Sequence, residues 1–325
     1  MRGRLCRAGD AMKILIADGL EAEAIATLRT SHDVDVAAVD AKQLLETIPA
    51  YHGLVVRSRT KVTKEVLERA SSLKVVGRAG VGVDNIDVSA ATARRIAVVN
   101  APTASSVSVA ELAIGHMISL YRHLPYADRS VKDGKWEKKN LEGRELSGKV
   151  LGLVGSGRIG AEVAKRAAAF GMRVVAFDPY LAPEAAVAAG VTLVERDRLL
   201  QEADVVSVHA ALTPENRGMI GAKEFSLMKR GAVLVNCSRG EIVQEAALSE
   251  ALRSGTIAGA ALDVFEKEPP AGSPLLDAPN VVFSPHLGAS TLEAQSRAGA
   301  IIAEQLLAAL AGRRPEFLVN REVYS

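Results

Sequence analysis

Short apolar runs alternate with amphipathic, helix-like segments along almost the whole chain. Between Met12 and about Asn100 the strand-like runs are KILIAD, GLVVRS, KVVGRAG and IAVVN, and segments such as EAEAIATLR and KEVLERAS separate them. Because strands that alternate with helices form parallel sheets covered by those helices, this part predicts a small α/β domain.

A second series of apolar runs begins near residue 150. These runs read LGLVG, MRVVAF, VTLV, DVVSVHA, AVLVNCS, GAALDVF and NVVFSP. They predict a doubly wound sheet of about six parallel strands. Two long helices are also predicted, Val107–His123 between the two series and the Ala-rich segment Leu292–Leu310 near the end of the chain. We expect the second of these helices to pack against the first domain.

The run Leu151–Gly160 places Gly155, Gly157 and Gly160 at the G-x-G-x-x-G spacing directly after a predicted strand. Gly155 permits a tight turn, Gly157 lets a pyrophosphate approach the backbone, and Gly160 lets the helix pack on its strand. Asp178 ends the next strand, roughly 20 residues later, where a carboxylate binds the ribose 2′-hydroxyl and repels a 2′-phosphate. A ligand-free glycine hairpin would not explain this register, so the motif predicts a dinucleotide site that prefers NAD to NADP.

The expected architecture is α/β, with two Rossmann-like, doubly wound parallel-sheet domains. The NAD-binding domain would span residues 103–291 and would be inserted into a discontinuous substrate-binding domain made of residues 12–102 and 292–325. Residues 1–11 carry three arginines but no apolar core of a signal peptide, so we expect a disordered tail or a mis-assigned start.

The composition narrows the classes of partner that we expect this protein to bind. The 325 residues include 40 basic and 38 acidic side chains, without a run of like charge that would suggest nucleic acid or an acidic membrane. Every apolar run is strand-length or interrupted by charges, so none should span a bilayer. The only two cysteines, Cys6 and Cys237, argue against a disulfide framework and favour a reducing cytoplasm. Small molecules are the expected partners.

Three side chains near the ends of late strands suit chemistry at a carbonyl group. They are Arg239 in NCSRGEIV, Glu268 in LDVFEKEPP and His286 in SPHLGAST. A guanidinium holds a carboxylate through two hydrogen bonds, and imidazole carries protons near neutral pH. A carboxylate bonded to the far ring nitrogen fixes the tautomer and should raise the histidine pKa. The other histidines lack this context, and we expect surface or core roles for them, with His209 as the exception to test.

From Met12 to its end, the chain resembles the D-isomer-specific 2-hydroxyacid dehydrogenases. The shared motifs, in order, are VVRSRTKVT, VGRAGVGVDNID, VNAP, VAELAIG, LGLVGSGRIG, FDPY, NCSRG, ALDVFEKEP and SPHLGAST. The resemblance implies that Arg239 binds the substrate carboxylate, that His286 is the acid/base and that Glu268 is its partner. It is greatest to members that oxidise 3-phosphoglycerate for serine synthesis and lack a C-terminal regulatory domain.

The same resemblance implies further contacts. Those to NAD would come from Val81, Gly155, Gly157, Arg158, Ile159, Gly160, Asp178, Pro179, His209, Ala210, Cys237, Ser238, Asp263 and Gly288. Those to the substrate would come from Arg57, Ser58, Arg78, Gly80 and Val81, with the two arginines suited to a phosphate. No metal is expected. Two positions depart from the family: Ala211 stands where proline is usual, and Gln244, where aspartate is usual, more readily concerns a helix cap than chemistry.

The sequence is also compatible with other functions. A glyoxylate or hydroxypyruvate reductase would use the same residues, whereas formate dehydrogenases carry glutamine where Glu268 stands. Some relatives are NADH-sensing co-repressors that keep the same three residues, although this chain shows no interaction tail. The single tryptophan, Trp136, lies in a loop that touches the partner subunit in relatives, so we expect a homodimer or a dimer of dimers.

Overall fold

Two parallel β-sheets organise the computed structural model, which describes residues 11–325 of the chain. One unit contains the residues up to Ser105 together with Ala289–Ser325, and the other is Ser106–Gly288. The predicted α/β class with two parallel sheets is confirmed. The prediction for the first ten residues, including Cys6, lies outside the described part.

The first unit has a five-stranded sheet in the order β2-β1-β3-β4-β5. Its strands are β1 (Lys13–Ile16), β2 (Asp33–Val36), β3 (Gly53–Val56), β4 (Val75–Arg78) and β5 (Ala97–Asn100). Its helices are α1 (Ala22–Arg29), α2 (Ala41–Thr47), α3 (Lys64–Arg69), α4 (Val88–Ala93) and α12 (Leu292–Leu310). Ile14 and Ile16 enter one apolar core and Leu15 enters another, so the sheet is buried on both faces.

Helix α12 packs on the first sheet together with α1. A Cβ atom at Gly77 in β4 would overlap the Leu306 side chain, so this glycine lets the helix approach the strand closely. Buried Asn320 fixes the segment after α12 to the first sheet. Its Oδ1 accepts from the Val98 amide at 2.8 Å, and its Nδ2 donates to the Ile96 carbonyl at 2.9 Å. The C-terminal residues are therefore part of the core of the first unit.

The second unit has a seven-stranded parallel sheet in the order β12-β11-β10-β9-β6-β7-β8. Its strands are β6 (Val150–Val154), β7 (Arg173–Phe177), β8 (Thr192–Leu193), β9 (Val205–Val208), β10 (Val233–Asn236), β11 (Gly259–Leu262) and β12 (Val281–Phe283). Its helices are α5 (Ser106–Tyr121), α6 (Leu124–Lys132), α7 (Arg158–Ala169), α8 (Pro183–Ala188), α9 (Arg196–Glu202), α10 (Ala222–Leu227) and α11 (Glu245–Arg253).

The order of strands reverses at β6. The chain runs outward from β6 to β7 and β8, then returns to place β9 on the other side of β6. The loops that follow β6 and β9 therefore diverge at the carboxyl edge of the sheet, which is where open α/β sheets bind their ligands.

Several predicted elements differ from those observed. Strand β2 was missed because DVDV is a charged edge strand with little burial. The second sheet has seven strands, one in each of the seven apolar runs, although about six were expected; β8, in the run VTLV, pairs through only two residues. The long helix ends at Tyr121, and His123, with φ of 52°, separates it from the unpredicted α6.

Within residues 11–325, no helix is both long and apolar enough to cross a membrane.

Candidate active site and dinucleotide site

The glycine turn after β6 has the geometry of a phosphate cradle. Gly155 has φ of +88°, and a Cβ atom there would stand 2.6 Å from the Ala210 amide nitrogen. A Cβ at Gly160 would stand 2.6 Å from the Gly155 carbonyl oxygen. By contrast, a Cβ at Gly157 would meet no atom within 4 Å. The turn is thus tight on the protein side and open at Gly157, where α7 begins with unpaired backbone amides.

Asp178 lies at the end of β7, beside this turn. Its Oδ2 accepts from the Ser156 amide at 2.8 Å and its Oδ1 accepts from the Tyr180 amide at 3.0 Å. A carboxylate has about four acceptor positions, so both oxygens retain capacity for ribose hydroxyls. The cradle, the helix N-terminus and this acid fit a dinucleotide. Arg158 and Ile159 open α7, and Pro179 follows Asp178.

The loop after β9 is held against the loop after β10. The Ser238 hydroxyl donates to the Ala210 carbonyl. His209 Nε2 lies 2.8 Å from Ser207 Oγ, and burial lowers the pKa of His209 to about 4, so its ring is neutral. Burial also raises the pKa of the Cys237 thiol far above its ordinary value. Cys237 is therefore a protonated packing residue and not a nucleophile.

Arg239 lies on the loop that follows β10. Buried Asn236 shapes this loop, because its Oδ1 accepts from the Ser238 amide at 3.0 Å and its Nδ2 donates to the Arg239 carbonyl at 3.0 Å. A Cβ at Gly240 would overlap the Phe265 carbonyl group. The glycine after Arg239 is thus required by the close approach of the loops after β10 and β11. Asn236 was not predicted as a site residue, although it ends an apolar strand.

His286 and Glu268 form a hydrogen-bonded pair, with 2.8 Å between His286 Nδ1 and Glu268 Oε2. The other carboxylate oxygen accepts from the Phe265 amide at 3.3 Å. Because a carboxylate only accepts, Nδ1 carries the proton and Nε2 is the nitrogen available to a substrate. His286 is a non-glycine residue with φ of 54°, a conformation that clusters at functional sites.

The pair shifts both pKa values. The hydrogen bond that His286 donates to Glu268 raises the pKa of His286 above its ordinary value, while burial and the Arg239 charge act in the opposite direction. Burial raises the pKa of Glu268, but the hydrogen bond and charge of His286, the Phe265 amide and the Arg239 charge together outweigh it, and the net pKa is lowered. Both charged forms are therefore stabilised together.

Asp263 and Gly288 meet at the loop that carries His286. Asp263 is fully buried, and its Oδ2 accepts from the Gly288 amide at 2.8 Å. A Cβ at Gly288 would stand 3.2 Å from the same carboxylate oxygen.

The predicted substrate residues lie in the first unit. The Arg57 amide donates to Asp18 at 2.7 Å, and its guanidinium lies 3.7 Å from Glu21. The Arg78 guanidinium lies over Gly80, where any side chain would overlap it. Val81 also belongs to this unit, so the predicted cofactor contacts are divided between the two units.

Gln244 occupies the N-cap position of α11 but does not cap it. Its side chain donates instead to the Gly218 carbonyl at 2.7 Å. The position is thus the helix cap that was expected, but the amide side chain reaches a neighbouring loop and forms no capping hydrogen bond.

Comparison with known proteins identifies the family. The sequence profile described as D-isomer specific 2-hydroxyacid dehydrogenase, NAD binding domain, matches residues 114–288. The chain belongs to the D-isomer specific 2-hydroxyacid dehydrogenase family. The matched residues lie within the second unit, which is thus the NAD-binding domain of the family.

Individual relatives support the same family assignment. A D-3-phosphoglycerate dehydrogenase from Methanocaldococcus jannaschii is 51% identical over 95% of this chain, which spans 59% of that protein. A Thermus thermophilus protein of known structure is 38% identical, with a TM-score of 0.87 over 95% of this chain and 100% of its own. A glyoxylate reductase from Paecilomyes thermophila is 31% identical, with a TM-score of 0.88 over 96% of this chain and 99% of its own. The chain spans less than two thirds of the curated relatives it matches.

We expect Glu268→Gln to lower the pKa of His286. Glutamine cannot supply the charge that stabilises the imidazolium, which leaves the Asp263 charge as the group that opposes burial and Arg239. The ring carbon resonance of His286, followed by NMR against pH and assigned by its loss in His286→Ala, measures this shift. Glu250→Gln, an exposed change on α11, is the control. A pKa that is equal in parent and Glu268→Gln would contradict the pairing.

Proposed function

We propose that this protein is an NAD-dependent dehydrogenase that oxidises D-3-phosphoglycerate to 3-phosphohydroxypyruvate and so feeds serine synthesis. The observation that carries the proposal is the 2.8 Å pair of His286 and Glu268, with Arg239 on an adjacent loop. The choice of substrate is supported by the relative from Methanocaldococcus jannaschii, named D-3-phosphoglycerate dehydrogenase. A cytoplasmic location belongs to the same proposal and rests on the cysteine usage.

Each of the three residues has a distinct task. Arg239 holds the substrate carboxylate and polarises the neighbouring carbonyl group. His286 Nε2 takes the hydroxyl proton during oxidation and returns it during reduction. Glu268 fixes the tautomer of His286 and stabilises its charged form. The chemistry that bound NAD would supply is acceptance of the hydride from C2 of the substrate. Because the pKa of His286 is raised, the protein holds more of the imidazolium that carbonyl reduction needs.

We expect His286→Ala to lower kcat by about 10²–10⁴, the usual contribution of a positioned acid/base. NADH affinity, measured by fluorescence titration, should stay near the parent value because the dinucleotide residues are untouched. His123→Asn is the matched control, since asparagine tolerates the left-handed conformation of that residue. A His286→Ala variant that turns over like the parent would refute the proposed function. A parent without NAD-dependent activity would also refute it and would favour an NADH-binding protein.

We expect NAD(H) to outperform NADP(H) by tenfold or more in kcat/KM, about 1.4 kcal/mol, because Asp178 repels a 2′-phosphate. Asp178→Ala removes this charge and should narrow the ratio. Asp277→Ala changes an exposed acid far along the sequence and should leave the ratio unchanged. A parent enzyme that prefers NADPH would overturn the assignment of Asp178.

The rival substrates differ at the end remote from the carboxylate. We propose that Arg57 and Arg78 bind the phosphate, which forms charge-assisted hydrogen bonds of roughly 1.5–3 kcal/mol each. Glyoxylate has no group there, and hydroxypyruvate has only a neutral hydroxyl. The Arg57 guanidinium is partly exposed and only 3.7 Å from Glu21, a weak pairing that a phosphate can replace.

Arg57→Ala should therefore reduce kcat/KM for 3-phosphoglycerate by about tenfold or more, and far less for glyoxylate reduction. Arg29→Ala, an exposed change in α1, is the control. Equal losses on both substrates would give Arg57 a structural role only. A parent enzyme faster on glyoxylate would favour the reductase.

We also propose that two copies of the chain associate, as a homodimer or a dimer of dimers. Support comes from four apolar side chains that are exposed within one short segment: Leu124 47%, Tyr126 55%, Val131 57% and Trp136 84%. Exposed apolar side chains that form one patch mark surfaces that bind another protein. We expect light scattering to give at least a dimeric mass for the parent and more monomer for Trp136→Ala. Val187→Ala, at another exposed site, should not change the mass; a monomeric parent would refute the proposal.

A further inference from the structure

Three buried polar side chains from different elements form a continuous hydrogen-bonded network. His116 Nε2 in α5 lies 2.9 Å from Ser284 Oγ, which follows β12, and Ser284 Oγ donates to Asp263 Oδ1 at 2.5 Å, after β11. The three residues are 5%, 8% and 0% exposed. We call His116, Ser284 and Asp263 the buried network. None of them was predicted to act on the acid/base, and His116 was expected to be a surface or core histidine.

The network ends on the backbone that carries His286. Asp263 Oδ1 accepts from the Leu287 amide at 2.7 Å and Oδ2 accepts from the Gly288 amide at 2.8 Å. The Asp263 carbonyl oxygen accepts from the His286 amide at 2.8 Å. Three consecutive amides are thus bound to one residue. This matters because His286 has a left-handed backbone, which persists only where surrounding bonds hold it.

The protons in the network have one consistent arrangement. The carboxylate of Asp263 accepts, so the Ser284 hydroxyl proton points to it. Ser284 Oγ must then accept from His116, which places a proton on Nε2. Burial lowers the pKa of His116, although the Asp263 charge opposes this, so the ring is neutral. Each member fixes the orientation of the next, and Asp263 cannot rotate without breaking several bonds.

We propose that His116 and Ser284 are positioning residues, which act through Asp263 to hold His286 at hydrogen-bond distance from Glu268. The catalytic consequence of this inference rests on the proposed function. The contacts that hold His286 beside Glu268 do not depend on it. The charged groups that act on His286 are Glu268, Asp263 and Arg239. If the network is broken, the loop of residues 286–288 loses its fixed backbone, and the contact with Glu268 that raises the pKa of His286 weakens.

The first test measures the pKa of His286 by NMR in the full chain without ligand. We expect Ser284→Ala and His116→Leu to lower this pKa toward its value in Glu268→Gln. His116→Gln should restore the parent pKa, since its amide nitrogen donates from a similar position. Ser249→Ala is a matched control, because Ser249 is 5% exposed against 8% for Ser284 and donates to the Pro274 carbonyl at 3.0 Å. Thermal unfolding is measured to test that each variant is folded. If Ser284→Ala does not fold, the His286 pKa in His116→Leu decides the outcome.

The second test is a double-mutant cycle in kcat. Ser284→Ala alone should lower kcat by about tenfold to a hundredfold, since small misplacements of a catalytic group are costly. In the His286→Ala background it should cost nothing further, because the group it positions is gone.

The outcomes separate the two proposals. A parent-like His286 pKa in both Ser284→Ala and His116→Leu, or additive kcat losses, would overturn the positioning role. An active His286→Ala variant would overturn the proposed function while the pKa shifts could still hold.

Discussion

The seven-stranded sheet is buried on both faces, and this constraint decides where chemistry can occur. Strand residues enter apolar cores above and below the sheet, so polar side chains have no place along the strands unless a partner satisfies them. Asn236, Asp263 and Ser284 stand where strands end or have just ended. Polar groups from distant parts of the sequence therefore collect at one edge of the sheet.

At that edge, the acidic side chains are used by the protein itself. Asp178 binds two backbone amides beside the glycine turn, and Asp263 binds two beside His286. Glu268 likewise uses one oxygen for the Phe265 amide and the other for His286. Each carboxylate thus fixes the shape of a loop in the protein without ligand, and less conformational freedom remains to be lost on binding.

The sequence allowed the second sheet, the glycine turn and the pairing chemistry of His286 to be predicted, because each depends on local spacing or residue type. Strand β2 was missed because an edge strand gains its stability from one neighbour, β1, and needs little apolar sequence. The N-cap position of Gln244 could be predicted, but its side-chain contact could not, because that contact lies across space, at Gly218. The link between His116 and Ser284 joins residues far apart in the sequence, and no local pattern encodes such a pair.

The position of helix α12 in the chain affects the order in which the two units can fold during synthesis. The first sheet consists of strands between residues 13 and 100, yet Ile302 and Leu306, which cover one of its faces, are synthesised only after the whole second unit. The N-terminal unit therefore cannot complete its core first, contrary to the usual order of folding along a nascent chain. The second unit is contiguous and can fold earlier. Until α12 has been synthesised, one apolar face of the first sheet's strands stays uncovered. Aggregation or chaperone binding would act on the chain during that interval.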